Sequence, residues 1–282
     1  MDYTKPTQTV EAMIDLGAAK AALGPRELLI RGILSGAILA ISTTLAILAT
    51  IQTGTPLVGA LLFPVGFVMI ILGGLELLTG NFAVVPVGVL DGRARMTQLA
   101  SNFAWVFVGN LIGSVAYGLL FYYIVPQTGA TAGVAEKLIA AAQAKTTGYQ
   151  ALGSRGMIAV FVKAVLCNWM VTLGVVMGLT SSSTVGKVLA AWLPIFIFFA
   201  HGYEHLIVNF FVIPTGMMLG AKVTIAQWIV WNLLPVTLGN FLGGFVLTGL
   251  AFYLGFPKRA LAKPPVPARN PEPVSAGALE PS

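Results

Sequence analysis

The chain repeats itself. Residues 74–86 read Gly-Leu-Glu-Leu-Leu-Thr-Gly-Asn-Phe-Ala-Val-Val-Pro, and residues 202–214 read Gly-Tyr-Glu-His-Leu-Ile-Val-Asn-Phe-Phe-Val-Ile-Pro. Both fit G-x-E-x-L-x-x-N-F-x-V-x-P at identical spacing. Further on, Asn102, Gly109, Asn110 and Gly113 match Asn232, Gly239, Asn240 and Gly243. The same order at a nearly constant offset marks a duplication, so the fold has to be built from two like halves.

The surroundings of the repeat decide the solvent. Only 9% of the 282 residues are charged and 57% are hydrophobic, with a mean hydropathy of +0.87. A soluble domain carries roughly 25% charged residues, because its surface needs them. The composition excludes a soluble enzyme, a disordered regulator and a coiled coil, and describes an integral membrane protein. The net charge of +6 is spread over short segments between apolar stretches, with no basic run to bind nucleic acid. The lone Cys167 excludes an internal disulfide framework and any zinc cluster. Residues 1–28 mix charges with apolar positions and lack the apolar core of a cleavable signal.

A helix needs roughly 20 apolar residues to cross the hydrocarbon. Uncharged stretches predict spans near 31–51, 57–90, 98–125, 157–180, 188–219 and 225–254. The second and fifth are too long for one pass and have polar centres. The expected fold is all-α: a six-span membrane protein made of two three-span repeats, about 31–125 and 157–254, with broken second and fifth helices. Three is odd, so the second copy enters the membrane from the opposite face and the repeats are inverted. Breaks are expected at Leu77–Phe82 and Ala200–His205, where Gly and polar residues interrupt apolar runs. Exposed backbone is tolerated in a bilayer only inside protein or beside a water-lined cavity, so the pathway should pass these breaks.

Two flanking segments complete the domain plan. Residues 1–30 form a cytoplasmic segment whose Val10, Met13, Ile14, Ala18 and Ala21 recur at helical spacing after Thr7, the expected N-cap. Residues 256–282 form a cytoplasmic tail; the last 26 residues contain seven prolines and cannot build a core. With the N-terminus inside, eleven cations (Lys5, Lys20, Arg26, Arg31, Arg93, Arg95, Lys187, Lys258, Arg259, Lys263, Arg269) face the cytoplasm. Five (Lys137, Lys145, Arg155, Lys163, Lys222) face out. That asymmetry places both termini on the cytoplasmic side of a cell (inner) membrane.

Acids in spans are functional candidates by default. Glu76 and Glu204 occupy equivalent positions, each before a second half-helix. Two readings stand: a carboxylate that accepts from free backbone N–H groups and caps the half-helix, or a direct transport role. His205 differs, because its repeat partner is the apolar Leu77. It is either a group that holds or exchanges a proton on the pathway, or a core histidine bonded to a carbonyl; the predicted midplane break favours the pathway. His201, four residues earlier, could share its helix face. Thr79 on the opposing break either donates its hydroxyl to an anion or satisfies backbone. Lys163, just before the fourth span, is a snorkelling boundary lysine or a vestibule cation. Asn168 hydrogen-bonds across helices or into the pore, and the matched glycines permit close helix packing.

The run Val165-Leu166-Cys167-Asn168-Trp169-Met170, with Gly202-Tyr203-Glu204-His205 and Asn209, resembles the formate/nitrite transporter family. Glu76-Leu77-Leu78-Thr79-Gly80-Asn81 and the opening Lys5-Pro6 segment agree, and the resemblance covers residues 5–255. It implies an aquaporin-like protomer in a homopentamer with one pore each. It also implies small monovalent anions of weak acids as substrates: formate or nitrite, with hydrosulfide, acetate or lactate in some members. By the same resemblance His205 matches the central pore histidine, Thr79 the threonine facing it, Glu204 and Asn209 its neighbours, and Lys163 the vestibule lysine. Phe63, Phe67, Leu77, Val171 and Phe198 match constriction positions, and Leu78 stands where many formate channels carry Phe.

Transport of the acid would follow from desolvation: a bare carboxylate does not enter an apolar constriction, so it neutralises first. The anion is expected to take a proton near His205, donated by the ring or relayed from water. No cofactor is implied. A water or glycerol channel of the aquaporin class is the rival, but the Asn-Pro-Ala pair of that class does not occur here. An intramembrane enzyme built on His205 and Glu204 has no nucleophile, metal or cofactor motif beside it.

Overall fold

The computed structural model describes residues 2–125 and 132–256. The expected proline-rich tail lies outside the described residues, apart from Phe256. Everything regular is helical. The helices are α1 (Pro6–Ala21), α2 (Pro25–Thr53), α3 (Pro56–Leu62), α4 (Pro64–Leu72), α5 (Leu78–Leu90) and α6 (Met96–Ile124) in the first half. The second half has α7 (Ala132–Ala144), α8 (Thr147–Ala151), α9 (Ser154–Gly178), α10 (Thr184–Ala200) and α11 (Leu206–Met218), then α12 (Ile225–Gly255). Four of these, α2, α6, α9 and α12, are long and apolar enough to cross a membrane. The other two spans are composite: α3 and α4 continue into α5, and α10 into α11. Leucines and isoleucines such as Leu34, Ile41, Leu189 and Leu193 stand exposed, the surface a bilayer covers.

The repeat extends further upstream than the sequence pattern suggested. Each half opens with a short amphipathic helix that covers its buried half-helix. Val10, Met13, Ile14 and Ala21 of α1 pack on Val84, Val85 and Val87 of α5. In the same relation Ala142 of α7 packs with Ile213 of α11. Gly17 lies so close to the Val84 carbonyl, and Gly216 to Leu138 and Ala142, that a Cβ has no room at either. The matched glycines of α6 and α12 do the same against α2 and α9: Gly113 sits on the Ile33 carbonyl and Gly243 on that of Val165. Small residues let apolar helices approach where lipid supplies no hydrophobic drive.

Several boundaries move. Lys5, not Thr7, is the N-cap of α1, because Pro6 takes the first helical position where its missing N–H costs nothing. The first span begins at Pro25 and the fourth at Ser154, six and three residues earlier than hydropathy placed them. The first break occupies residues 73–77, upstream of the expected Leu77–Phe82; the second, 201–205, falls as expected.

Residues 2–4 are pinned beside α10. Thr4 donates its N–H to Thr180, 2.7 Å away. The Asp2 carboxylate accepts from the Ser182 and Ser183 N–H groups at 2.7 Å each and from the Ser181 and Ser182 hydroxyls. These bonds, the hydroxyls of Ser181 and Ser182 first, hold the Asp2 carboxyl down at about 2 from an ordinary 3.8. A depressed carboxylate stabilises the docked form above its ordinary value, and the contribution disappears as pH falls through the depressed one. Docking of residues 2–4 should therefore be indifferent to pH above 3.8 and be lost toward about 2. Hydrogen exchange of the first residues checks this, and release near neutrality would contradict it. Arg93 secures α1 further along, reaching Glu11, Asp15 and Asp91.

Candidate transport pathway

Each break is made by the glycine that opens the repeated motif. Gly74 and Gly202 have φ of 61° and 62°, a left-handed conformation that residues with a Cβ avoid. Around them Leu75 donates to the Ile70 carbonyl (3.0 Å) and Tyr203 to that of Phe198 (3.2 Å), closing α4 and α10 with Schellman-type bonds. The chain then crosses three residues and restarts as α5 or α11, helices buried over most of their length.

The new N-termini are capped from a neighbouring span. Leu78 N–H donates to Asn110 Oδ1 at 3.0 Å and Leu206 N–H to Asn240 Oδ1 at 2.9 Å. The amide nitrogens return across the break: Asn110 Nδ2 reaches the Gly32 and Glu76 carbonyls, Asn240 Nδ2 those of Ala164 and Glu204. This corrects the capping reading of Glu76 and Glu204, whose carboxylates take no backbone N–H.

The carboxylates belong to two matching circuits. Glu76 accepts from Lys20 Nζ and Asn81 Nδ2, both at 2.7 Å; Asn81 also donates to Asn102 Oδ1 (2.9 Å), and Asn102 to the Lys20 carbonyl (3.0 Å). In the other half Glu204 accepts from Lys145 Nζ (2.9 Å) and Asn209 Nδ2 (2.8 Å). Asn209 donates to Asn232 Oδ1 and Asn232 to the Lys145 carbonyl, each at 3.0 Å. The second circuit has two added bonds: the Tyr149 hydroxyl donates to Glu204 Oε1 at 2.8 Å, and Asn232 Nδ2 also reaches Glu204 Oε2 at 3.4 Å. Buried carboxylates need such partners.

His205 stands where the two half-helices meet. It is 2% exposed, and its Nδ1 accepts from Val208 N–H at 3.2 Å, making it the N-cap of α11. Its Nε2 lies 2.9 Å from Thr79 Oγ1, in the first turn of α5. With Nδ1 an acceptor, the hydrogen-bond pattern assigns the proton to Nε2. Thr79 Oγ1 then accepts from the ring, and its own hydroxyl hydrogen is free to point elsewhere. Asn168 completes the centre: Nδ2 donates to the Thr79 and Asn240 carbonyls at 3.0 and 2.6 Å, while Oδ1 is buried without a hydrogen-bond partner. The carbonyl-bonded alternative for His205 is not what the geometry shows. His201 is exposed, bonded to the Ile197 carbonyl and stacked on Tyr203.

Apolar side chains flank the centre. Phe198 stacks on the His205 ring at 5.5 Å and meets Phe63 edge-on at 5.6 Å; Phe63 in turn stacks on Phe199. On the Lys20 face a cavity of about 370 Å³ reaches Phe67 and Leu77, with Lys20, Arg31, Lys187 and Glu76 on its walls. Leu78 and Val171 are buried, but Gly80 and Val175 are what line this cavity. On the opposite face an open recess is lined by Lys145, Tyr149, Lys163 and Glu204. Lys163 does not precede its span; it sits within α9, its ammonium 5.8 Å from the centre of the Tyr149 ring. The cation paired with Glu204 is Lys145.

The structure brings the expected His205, Thr79, Glu204, Asn209 and Asn168 into one hydrogen-bonded group. Sequence reasoning missed Lys20, Lys145 and Tyr149, and it matched Asn102 with Asn232 and Asn110 with Asn240 without seeing what they bind.

Two inverted halves meeting at paired buried breaks, with a polar centre between apolar layers, define a membrane channel of the inverted-repeat class. The sequence profile described as Formate/nitrite transporter matches residues 7–254, and the chain belongs to that family. Among relatives, "Uncharacterized transporter YrhG" of Bacillus subtilis is 34% identical over 92% of this chain and 96% of its own. "Probable formate transporter" of Methanothermobacter thermautotrophicus is 33% identical over 91% and 98%. A solved structure titled "Pentameric formate channel with formate bound" aligns with a TM-score of 0.67 at 25% identity, covering 82% of this chain and 96% of that one. The protein is a transporter, and the enzyme reading falls away.

Proposed function

We propose that this chain conducts small monovalent anions of weak acids, formate or nitrite, and that they cross its centre in protonated form. The observation that carries the reading is the His205–Thr79 contact, an exchangeable proton and a free hydroxyl at the junction of two buried half-helices. An anion arriving there faces apolar layers on both sides, where an isolated carboxylate is too costly to hold and neutralises instead. The Thr79 hydroxyl is placed to bond the acid, and the unpartnered Asn168 Oδ1 is an acceptor for the proton it carries. Nδ1 of His205 is committed to α11, so Nε2 is the ring atom able to exchange. That geometry favours a proton supplied by water, with the Nε2 N–H and the Thr79 hydroxyl holding the anion while it is protonated, over donation from a doubly protonated imidazole.

Each mouth has more cations than anions: Lys20, Arg31 and Lys187 against Glu76, and Lys145 and Lys163 against Glu204. Such walls concentrate anions before desolvation. Leu78 is buried off the cavity, so its departure from Phe does not by itself separate formate from nitrite. The protomer assembles as a pentamer, as the solved relative's title describes for that channel. Both termini and the Lys20 face are cytoplasmic, by the cation asymmetry.

A flux assay in proteoliposomes tests this, with formate, nitrite and hydrosulfide in competition across pH. Formate and nitrite should cross, compete with each other, and speed up as pH falls, while glycerol should not swell the vesicles. Glycerol permeation, or anion flux independent of pH, would overturn the proposal.

A further inference from the structure

We propose that Asn102 and Asn232 are positioning residues for the vestibule lysines Lys20 and Lys145. This rests on the reading above, in which those lysines help draw the anion in. Both asparagines are fully buried on the third span of their half. Neither touches the central histidine in any bond the structure shows. Asn232 adds a long bond of its own to Glu204 Oε2 at 3.4 Å, and each does the same two things with one amide. Its Nδ2 holds the lysine's own carbonyl at 3.0 Å, and its Oδ1 accepts from the half-helix asparagine that binds the lysine's glutamate, at 2.9 or 3.0 Å.

A lysine left to itself extends its flexible stem and takes its ammonium to water. Lys20 closes α1 and Lys145 follows α7, and carbonyls at helix ends have no partner within the helix. The asparagine supplies a partner, at Lys20 a shorter one than the Leu23 N–H at 3.4 Å, and fixes the Cα from which the stem leaves. Through Asn81 or Asn209 it also fixes the carboxylate at which the ammonium arrives. Both ends of the lysine are thereby tied to one side chain.

The duplication gives independent weight. Around Lys20 the sequence reads Ala-Lys20-Ala-Ala, and around Lys145 Ala-Lys145-Thr-Thr. The flanking helices differ in length and sequence, yet the same circuit closes in both halves to within about 0.2 Å. A buried asparagine needed only for helix packing would not have to meet a lysine carbonyl twice.

The experiment compares Asn232→Leu, Lys145→Met and the double variant in pentameric proteoliposomes of defined orientation, measuring formate entry from each face. Asn232→Leu should raise the half-saturating formate concentration about tenfold from the Lys145 face only, with maximal flux little changed. The double variant should be no worse than Lys145→Met, because both remove one function. Asn232→Asp, which keeps the acceptor and loses the donor, serves if the leucine variant does not assemble, with the same one-sided rise expected. Asn102→Leu should mirror the effect on the Lys20 face. An effect equal on both faces, additivity with Lys145→Met, or no change beside an active lysine effect would overturn the positioning role and leave the anion-attracting mouths standing. If Lys145→Met itself changes nothing, the reading of the mouths fails and the inference falls with it.

Discussion

Replacing His205 by Phe should lower formate flux at neutral pH about 100-fold and flatten its dependence on pH, since a positioned proton-transfer group contributes about that much or more. Phe fills a similar volume and keeps the stack on Phe198, so the constriction should survive. What disappears is the Nε2 proton 2.9 Å from Thr79 Oγ1 and the Nδ1 acceptor for Val208 N–H. Loss of the cap costs about 1 kcal/mol, too little to unfold the protein, so assembled pentamer should still be recovered. The diagnostic measurement is the pH profile of the residual flux. A variant that conducts slowly with an unaltered profile would show that the ring merely shapes the pore, and the protonation scheme would have to be abandoned.

The second large effect is on stability. Asn240→Leu removes one acceptor and two donors at once, leaving the Leu206 N–H and the Glu204 carbonyl without their partner, while the Ala164 carbonyl loses a second bond but keeps the one inside α9. An orphaned buried polar group costs about 1–3 kcal/mol, so the two together amount to about 2–6 kcal/mol. Hydrogen bonds within membranes average less than this when both states find partners; the buried break offers no replacement. Against a total stability of about 5–15 kcal/mol for a typical fold, such a loss should abolish recovery of folded oligomer. Asn110→Leu should cost less in the first half, where the Ser35 hydroxyl still donates to the Glu76 carbonyl at 2.6 Å. Thermal unfolding followed by size exclusion measures it, and a melting point shifted by only a degree or two would show that the cap is dispensable.

The duplication, the six spans and the group around His205 were legible because they rest on local signals: apolar run length, repeated spacing and rare polar residues at depth. The first break was misplaced because Thr79, Gly80 and Asn81 look like loop residues. Gly80 is in fact helical, and a Cβ there would lie 3.1 Å from Val175 Cγ2, so it serves packing. The break is set by Gly74 instead. A cap is one of the two readings open for Glu76 and Glu204, because a carboxylate ahead of a helix ordinarily is one. Here Asn110 and Asn240 arrive from another span, a relation no local window contains. Lys20 and Lys145 were counted as topology charges for the same reason. Each lies more than fifty residues from the glutamate it pairs with, at 56 and 59 positions. Lys163, the one lysine singled out beforehand, lies instead beside Tyr149 without a carboxylate.

The head-to-head meeting of α5 and α11 carries one more consequence. An α-helix has about half a positive elementary charge at its start, and here two such starts converge on one point, Thr79 against His205. Sodium, potassium or a hydronium ion hopping along water would be repelled there from both directions, as positive half-helix ends do in other pores. If acids cross here in neutral form as proposed, each takes one proton with it, while the sodium and potassium gradients and the membrane voltage stay undrained.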